Sequence, residues 1–330
     1  MRRTSALAVA GMLGLVVLGV RPGVPGSAVA ADPSAVAQAR VLEFWTPERM
    51  RDAVPRDFVR GPTGVSVRAP IPPVAAAGTV SGGTWPDGRG PIYRTVGKVY
   101  FEMGGVAYVC SGAVTSDGDL ADGRSLVLTA GHCAYDEVHR VFATNWLFIP
   151  EFASRPTFRC ADTAHGCWSA IALVVGRAYA TAGAFNDQAT DHDYAFAVVE
   201  AGTNGTQLDA TVGAYPIDAS DETAEQRVAF GYPQAEPWDG TNLGWCAGSP
   251  FEDAHNGIRT WGLGCNMTAG SSGGPWLSGF DERTGTGGRL SSVSSYGYAG
   301  VQSVFGPKFD RETLAVYEAA LTVAGNSVVN

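Results

Sequence analysis

Short apolar runs separated by turn residues fill the chain from Thr95 onward. Residues 96–103 and 106–114 flank Gly104-Gly105, a two-residue turn sequence that is typical of a β-hairpin. Further runs have the length of single strands and lie at residues 125–129, 141–149, 169–175, 194–199 and 228–232. Regular short strands joined by glycine-rich turns predict an all-β sandwich or barrel, rather than strands that alternate with helices.

One helix is predicted near the C-terminus. Asp310 can cap it, and Leu314, Tyr317 and Leu321 recur on one face at spacings of three and four residues. Gly325 suits the position just after a helix. We expect the apolar face of this helix to pack on the β-structure.

The segment 31–94 differs from the rest of the chain. A helix is predicted within residues 41–54, with Thr46 as its N-cap and Pro47 at its first position. Residues 61–90 are rich in proline and glycine and lack apolar periodicity, as in segments that run over a surface. We interpret the whole segment as a propeptide or an N-terminal arm.

The first 30 residues have the pattern of a secretory signal peptide. Arg2-Arg3 precede an apolar run at residues 6–20, and Ala28-Val29-Ala30 forms a small-x-small cleavage sequence before Ala31. The alternative is a membrane anchor, but the run is shorter than the roughly 20 residues that a bilayer span needs, and Arg21 follows it. We therefore expect an exported product without membrane contact after signal cleavage.

Charge is unevenly distributed along the chain. Residues 31–94 contain eight arginines and six acidic residues, whereas 12 basic and 26 acidic residues follow from residue 95 onward. An acidic domain is a poor partner for nucleic acid. The opposite net charges favour docking of a propeptide as an inhibitor or folding aid, and the alternative is a surface arm that is retained. Removal would follow cleavage after Arg89 or Arg94.

Six cysteines can form disulfides in an exported protein, because disulfides persist outside the cytoplasm. Their order along the chain favours the pairs Cys110–Cys133, Cys160–Cys167 and Cys246–Cys265. A metal site built from Cys160, His165 and Cys167 is the competing interpretation, but that cluster lacks a fourth ligand at a usual zinc spacing. We predict three disulfides and no metal.

Residues 270–274, Gly-Ser-Ser-Gly-Gly, can present a nucleophilic serine. Glycines on both sides let the backbone turn sharply, so that N–H groups can converge beside Ser272 as an oxyanion hole requires. The alternatives are a flexible Gly/Ser loop and the Gly-x-Ser-x-Gly elbow of an α/β-hydrolase. The elbow needs a histidine after the serine, which excludes it, because every histidine precedes Ser272. These histidines are His132, His139, His165, His192 and His255.

A serine hydroxyl needs an imidazole to take its proton and a carboxylate to orient that imidazole. His132 is the candidate base, because a disulfide at Cys133 would hold its ring in place. Asp193 opens a predicted buried strand, where a carboxylate is costly unless it is hydrogen-bonded. His192 is the rival base, but neighbouring side chains on a strand point to opposite faces. Asp191 is the fallback carboxylate and otherwise a solvated turn residue.

Together these motifs resemble the trypsin/chymotrypsin-like serine proteases. Thr-Ala-Gly-His-Cys at 129–133, Asp-Tyr-Ala at 193–195 and Gly-Ser-Ser-Gly-Gly-Pro at 270–275 are similar to that family's three signatures, in the family's order. Gly231-Tyr232-Pro233 and Ser295-Tyr296-Gly297 look like the secreted bacterial and fungal members, including relatives of glutamyl endopeptidases. The resemblance covers residue 96 to the terminal helix.

The resemblance implies an all-β fold of two antiparallel six-stranded β-barrels with a C-terminal helix. The chain then divides into a signal peptide (1–30), the arm or propeptide (31–94) and a protease domain (95–330). The two barrels are expected at residues 95–205 and 206–330, with the catalytic groups in the cleft between them.

By the same resemblance, Ser272 is the nucleophile, His132 the general base and later the acid, and Asp193 the carboxylate that orients it. The N–H groups of Gly270 and Ser272 would form the oxyanion hole. The backbone of Ser295, Tyr296 and Gly297 is expected to pair with an extended substrate.

Two departures limit what else the resemblance implies. Animal members carry an aspartate just before the nucleophile that pairs with a new N-terminus, and Ser271 cannot make that ion pair. Trypsins carry an aspartate for basic side chains six residues before the nucleophile, where Asn266 stands here. We therefore expect no strong preference for Arg or Lys at P1. Glutamyl endopeptidase relatives use a histidine after the nucleophile, which this chain lacks, so a preference for Glu has little support.

The predicted function is a secreted serine endopeptidase that acts as a monomer, without a cofactor, on protein or peptide substrates. Two alternatives remain open: a catalytically inactive homologue that serves as a binding module, and an esterase on the same scaffold. A zinc protease is disfavoured because the sequence lacks His-Glu-x-x-His.

Overall fold

The computed structural model describes residues 33–61, 66–68, 81–118, 122–220, 225–254 and 260–330. The predicted signal peptide lies outside these residues. Within them, we find no helix whose length and apolar character would suffice to cross a membrane.

The N-terminal segment forms short helices and strands. In chain order these are α1 (Pro33–Phe44), α2 (Pro47–Asp52), β1 (Val54–Pro55), β2 (Phe58–Arg60), β3 (Ser66–Arg68), β4 (Ser81–Thr84) and α3 (Ile92–Thr95). The predicted helix start is confirmed, since the Thr46 side chain caps α2 by accepting from the Arg49 N–H. The helix lies within the predicted range 41–54 and ends at Asp52, before Pro55. Residues 41–44 belong to α1, which ends before Pro47 because proline cannot continue a helix.

Six strands of the next segment form a closed barrel. The elements are β5 (Val96–Met103), β6 (Val106–Thr115), β7 (Ser125–Thr129), β8 (Tyr135–Asp136), β9 (Val141–Phe142), β10 (Thr144–Pro150), β11 (Trp168–Gly176), α4 (Arg177–Ala180), α5 (Asp187–Asp191) and β12 (Ala195–Val199). The strands pair in the order β6, β5, β10, β11, β12, β7, and β7 pairs again with β6. The predicted hairpin of β5 and β6 is confirmed, with positive φ at Gly104 and Gly105.

The last segment forms two sheets that share a core. Its elements are α6 (Leu208–Val212), β13 (Arg227–Gly231), β14 (Gly244–Gly248), β15 (Phe251–Glu252), β16 (Thr260–Gly264), β17 (Pro275–Asp281), β18 (Thr286–Val293), β19 (Tyr296–Tyr298), β20 (Ser303–Pro307), α7 (Arg311–Ala320) and β21 (Ser327–Val329). One sheet has the order β18, β17, β13, β14, β4, and the other β15, β16, β20, β19, β2, β3. Trp276 of the first sheet and Leu263 and Val304 of the second lie in one buried cluster. The predicted chymotrypsin-like all-β class is confirmed.

The core of the second half begins upstream of residue 95. Strand β4 pairs antiparallel with β14, from Thr84 opposite Gly244 to Ser81 opposite Ala247. The Trp85 side chain is only 1% exposed and packs edge-on against Phe230. The predicted boundary at residue 94 therefore does not coincide with the packing, because a cut there would remove an edge strand and a core tryptophan.

The C-terminal helix is present but shorter than predicted. Asp310 caps α7 in a capping box with Thr313, as expected for its N-terminus. The buried face carries Thr313, Val316 and Ala320, and the predicted Leu314 and Tyr317 flank it half-buried. Gly325 does not end the helix, because α7 stops at residue 320 and the chain turns back to pair β21 with β11.

The three predicted disulfides are confirmed: Cys110–Cys133, Cys160–Cys167 and Cys246–Cys265. The first joins β6 to the short 3₁₀ turn that carries His132. The second excludes the competing metal site, since its two sulfurs are bonded to each other. His165 instead lies with Nε2 2.6 Å from Oε2 of Glu151.

Candidate active site

His132 and Asp193 come together because their strands are neighbours in the first barrel. His132 follows β7 and Asp193 precedes β12, and these antiparallel strands pair Thr129 with Ala195 at that end. The Asp193 carboxylate accepts from the His132 backbone N–H at 2.8 Å and lies 2.7 Å from its Nδ1. Both side chains are fully buried. This geometry holds the imidazole in the tautomer with its proton on Nδ1.

The second half supplies a third donor to Asp193. The Ser295 hydroxyl donates to Asp193 Oδ2 at 2.5 Å, so the predicted substrate-binding residue also holds the carboxylate through its side chain. Three hydrogen bonds satisfy a carboxylate that burial would otherwise destabilise. The rival His192 is directed elsewhere, with Nε2 3.0 Å from Glu312 of α7. The fallback Asp191 is the last residue of α5.

The loop that carries Ser272 depends on its glycines. Gly270 and Gly273 have φ of +101° and +78°, which side chains rarely tolerate. A Cβ at Gly273 would also lie 2.2 Å from Oγ1 of Thr129 in the first barrel. The two halves therefore approach each other closely at the predicted nucleophile.

Ser111 of β6 connects the first barrel to this loop, and sequence reasoning missed it. Its hydroxyl donates to the Gly270 carbonyl at 2.9 Å and accepts from the Tyr232 N–H at 2.8 Å. Its N–H donates to the Ser272 carbonyl at 2.7 Å. The one signal in the sequence is its position beside Cys110.

Ser271 holds the loop by a local hydrogen bond. Its buried hydroxyl donates to the Thr268 carbonyl at 2.8 Å. The side chain at this position therefore has its partner inside the loop.

The N-terminal segment places a carboxylate on the candidate nucleophile. The Ser272 hydroxyl donates to Asp57 Oδ1 at 2.9 Å, and the Gly270 N–H donates to Oδ2 at 3.0 Å. Burial raises the pKa of the Asp57 carboxyl, and the neighbouring His132 opposes this shift. Nε2 of His132 is buried and has no hydrogen-bond partner among the described residues. Nothing in the sequence pattern indicated this role for Asp57.

The predicted substrate-binding strand already holds a peptide segment of the same chain. Tyr296 and Gly297 of β19 pair with Phe58 and Val59 of β2. The predicted pocket residue Asn266 is half-buried beside the Cys246–Cys265 disulfide, and its carbonyl accepts from Nε1 of Trp238 at 3.1 Å.

Solved structures of serine proteases share this fold. The thermostable serine protease AL20 from an extremophilic microorganism is 35% identical, with a TM-score of 0.60; the match covers 71% of this chain and 99% of AL20. The protease Anisep from Arthrobacter nicotinovorans is 34% identical, with a TM-score of 0.59 and coverage of 69% and 95%. A Glu endopeptidase shares the fold at 19% identity and a TM-score of 0.53, covering 75% and 99%. No family model and no curated protein sequence matches.

The matches to AL20 and Anisep extend over nearly the whole of those proteins at about a third identity. The barrel, the buried His132–Asp193 pair and the glycine-rich loop at Ser272 agree with that likeness. This chain therefore belongs to the trypsin/chymotrypsin-like serine protease family.

Proposed function

We propose that the protein is a secreted serine endopeptidase that cleaves peptide bonds through an acyl-enzyme. The observation that carries the proposal is the buried His132–Asp193 pair beside the Gly270–Ser272 loop, which Ser111 ties to the same barrel. Serine proteases at 34% and 35% identity support the reaction class. The three disulfides support export, because they form in oxidising compartments.

Acylation would begin with transfer of the Ser272 hydroxyl proton to Nε2 of His132. The oxygen then attacks the carbonyl carbon of the substrate, and the N–H groups of Gly270 and Ser272 stabilise the resulting oxyanion. Asp193 keeps Nδ1 protonated and stabilises the imidazolium. The C–N bond breaks as Nε2 returns its proton to the leaving amine.

Deacylation repeats these steps with water. Nε2 of His132 takes a proton from the water, whose oxygen attacks the ester carbon of the acyl-enzyme. The C–O bond to Ser272 breaks, the serine oxygen regains its proton from Nε2, and the new carboxylate leaves. This sequence requires Ser272 to face His132, so the contact of its hydroxyl with Asp57 must first be released.

A fluorophosphonate probe tests the proposal on the secreted protein. We expect labelling that Ser272→Ala abolishes, whereas the exposed-serine control Ser154→Ala labels like wild type. Wild-type enzyme that has not been treated with the probe should also create new termini in a defined protein mixture, mapped by mass spectrometry, without dominant cleavage after Arg or Lys. Labelling that survives Ser272→Ala contradicts the proposed nucleophile. Labelling with ester hydrolysis alone would favour the esterase. No labelling even when Asp57→Ala removes the contact with Ser272 would favour the inactive homologue.

A further inference from the structure

Residues 54–60, here called the cleft segment, run through the candidate active site. Its residues 56–60 are each at most 7% exposed, although the segment lies outside both predicted barrels in sequence. Three of these five side chains are charged: Arg56, Asp57 and Arg60. Charged groups are buried only with specific partners, so the segment docks in a site that is built to receive it.

Asp57 occupies the reactive centre through its side chain. Its carboxylate, and not a peptide carbonyl, accepts from the Gly270 N–H that we propose for the oxyanion hole. The Ser272 hydroxyl donates a hydrogen bond to the same carboxylate. Nε2 of His132 is left without a partner among the residues described. The nucleophile hydroxyl is thus directed to Asp57 and not to its base, and the Gly270 N–H binds a side-chain carboxylate where a substrate carbonyl would have to bind.

The cleft segment contacts both halves of the molecule, and it runs parallel to its partner strand in each half. Its first two residues, β1, pair in parallel with Tyr108 and Val109 of β6 in the first barrel. After passing Ser272 it continues as β2, which pairs in parallel with β19 in the second half. In the antiparallel direction the side chains of this segment would lie in the opposite order along the cleft, so the contacts of Asp57, Phe58 and Arg60 require the parallel direction.

An aromatic contact covers the candidate base. The Phe58 ring stacks on Phe185, with 3.8 Å between ring centroids, and meets the His132 ring edge-on at 5.3 Å. His132 is 0% exposed in this arrangement. Phe58 thus excludes solvent and substrate from the imidazole.

Arg56 anchors the segment on the N-terminal side of Asp57. Its guanidinium donates to the His132 carbonyl and lies 3.9 Å from Asp136 and 4.0 Å from Glu137. These contacts join a basic side chain of the arm to acidic side chains of the first barrel. They give a structural basis to the opposite charges of the two parts of the sequence.

Arg60 anchors the segment on the C-terminal side of Asp57. Its side chain is fully buried, pairs with Asp187, donates to Oγ1 of Thr190 at 3.2 Å and lies 5.2 Å from the ring centre of Tyr296. The two arginines therefore hold the segment on either side of Asp57, at acidic sites of the first barrel.

We propose that residues 54–60 are a built-in inhibitor of the active site that docks in one fixed direction and is not cleaved. Asp57 blocks the oxyanion hole and the nucleophile, Phe58 covers the base, and the two arginines supply anchorage. The proposal rests on the proposed function. Release requires a cut or displacement between Arg60 and Ser81, because β4 belongs to the second half.

Variants of the full chain test whether the cleft segment inhibits the active site of its own chain. The rate of fluorophosphonate labelling is measured on the uncleaved band for wild type, Asp57→Ala and the matched control Asp52→Ala, an exposed aspartate at the end of α2. We expect labelling of Asp57→Ala to be about tenfold faster or more, because two hydrogen bonds to a buried carboxyl are lost. Phe58→Ala should act in the same direction, and Asp52→Ala should match wild type. Equal rates for all four would overturn the proposal.

A synthetic peptide tests the segment in trans. A capped peptide of residues 53–61, added to the Asp57→Ala chain, should slow its labelling towards the wild-type rate and be recovered intact by mass spectrometry. Peptides with alanine at position 57, or with the same residues in scrambled order, should be weaker by about tenfold or more. Rapid cleavage of the peptide, or equal inhibition by all three, would overturn the proposal. If no variant reacts with the probe at all, the proposed function fails, and the inhibitory role fails with it.

Discussion

The geometry at Ser272 depends on residues that are distant from it in the sequence. Ser111 forms three hydrogen bonds, to the Gly270 carbonyl, the Tyr232 N–H and the Ser272 carbonyl. Ser295 reaches the Asp193 carboxylate from the opposite half. The nucleophile loop is therefore fixed relative to the His132–Asp193 pair by hydrogen bonds between the two halves.

Ser111→Ala should lower kcat while it leaves KM within about twofold. The substitution leaves a buried carbonyl and a buried N–H without their partner, at about 1–3 kcal/mol each, and lets the Gly270 peptide move. We expect kcat to fall by about tenfold or more on a peptide substrate, because a displaced oxyanion donor affects the transition state more than binding.

Ser291→Ala is the control for this prediction. Ser291 is also a buried serine, but its hydroxyl donates to the Trp276 carbonyl within β17 and β18, away from the nucleophile loop. It should lower the free energy of unfolding without a change in kcat. If both variants lose kcat equally, Ser111 has no specific positioning role.

At the scale of elements, the pattern of short strands predicts the first barrel well. The hairpin of β5 and β6 and the strand β7 follow from local alternation and turn residues, which are properties of neighbouring positions. Strand β4 was missed, since Ser81-Gly82-Gly83-Thr84 has no strand pattern and is ordered by its pairing with β14. The end of α7 was misplaced for the same reason, because β21 is set by its contact with β11.

The mature N-terminus should lie at or before Ser81. A chain cut after Arg89 would lose β4 and the buried Trp85, and loss of a buried tryptophan side chain costs about 3–5 kcal/mol of the free energy of unfolding. N-terminal sequencing and intact mass of the active secreted protein check this. An active, stable form that starts at Gly90 or Thr95 would contradict the prediction.

At the scale of the whole molecule, a buried lysine joins the two halves. Lys98 of β5 donates to Gln234 Oε1 at 3.1 Å and to the Gly240 carbonyl at 3.2 Å, both in the second half. Burial lowers the pKa of Lys98 to about 7. The unfolded chain, with an ordinary lysine, therefore binds more protons than the folded chain between pH 7 and about pH 10.

The free energy of unfolding should rise with pH in that window because of Lys98. We expect Lys98→Met to remove this rise, so that the wild type gains about 2 kcal/mol relative to the variant between pH 7 and pH 9. Urea unfolding in a Ser272→Ala background, which prevents self-digestion by the proposed nucleophile, measures the difference.

Lys308→Met is the matched control, since Lys308 is the other lysine of the chain and pairs with the exposed Glu252. Its difference from wild type should not change over the same pH range. If the difference in the free energy of unfolding between Lys98→Met and wild type is also independent of pH, the prediction is contradicted, because Lys98 would then titrate like an exposed lysine.

The sequence by itself determined the fold class, the disulfide pairs and the motif residues His132, Asp193 and Ser272. Strand periodicity, cysteine order and short glycine-rich motifs are local features, and the family resemblance adds their order along the chain. The docking of residues 54–60, the bridge through Ser111 and the start of the core at β4 were decided only by the tertiary structure. These contacts join positions up to 215 residues apart, and no local pattern encodes which distant partner a lone Asp57 or Ser111 will meet.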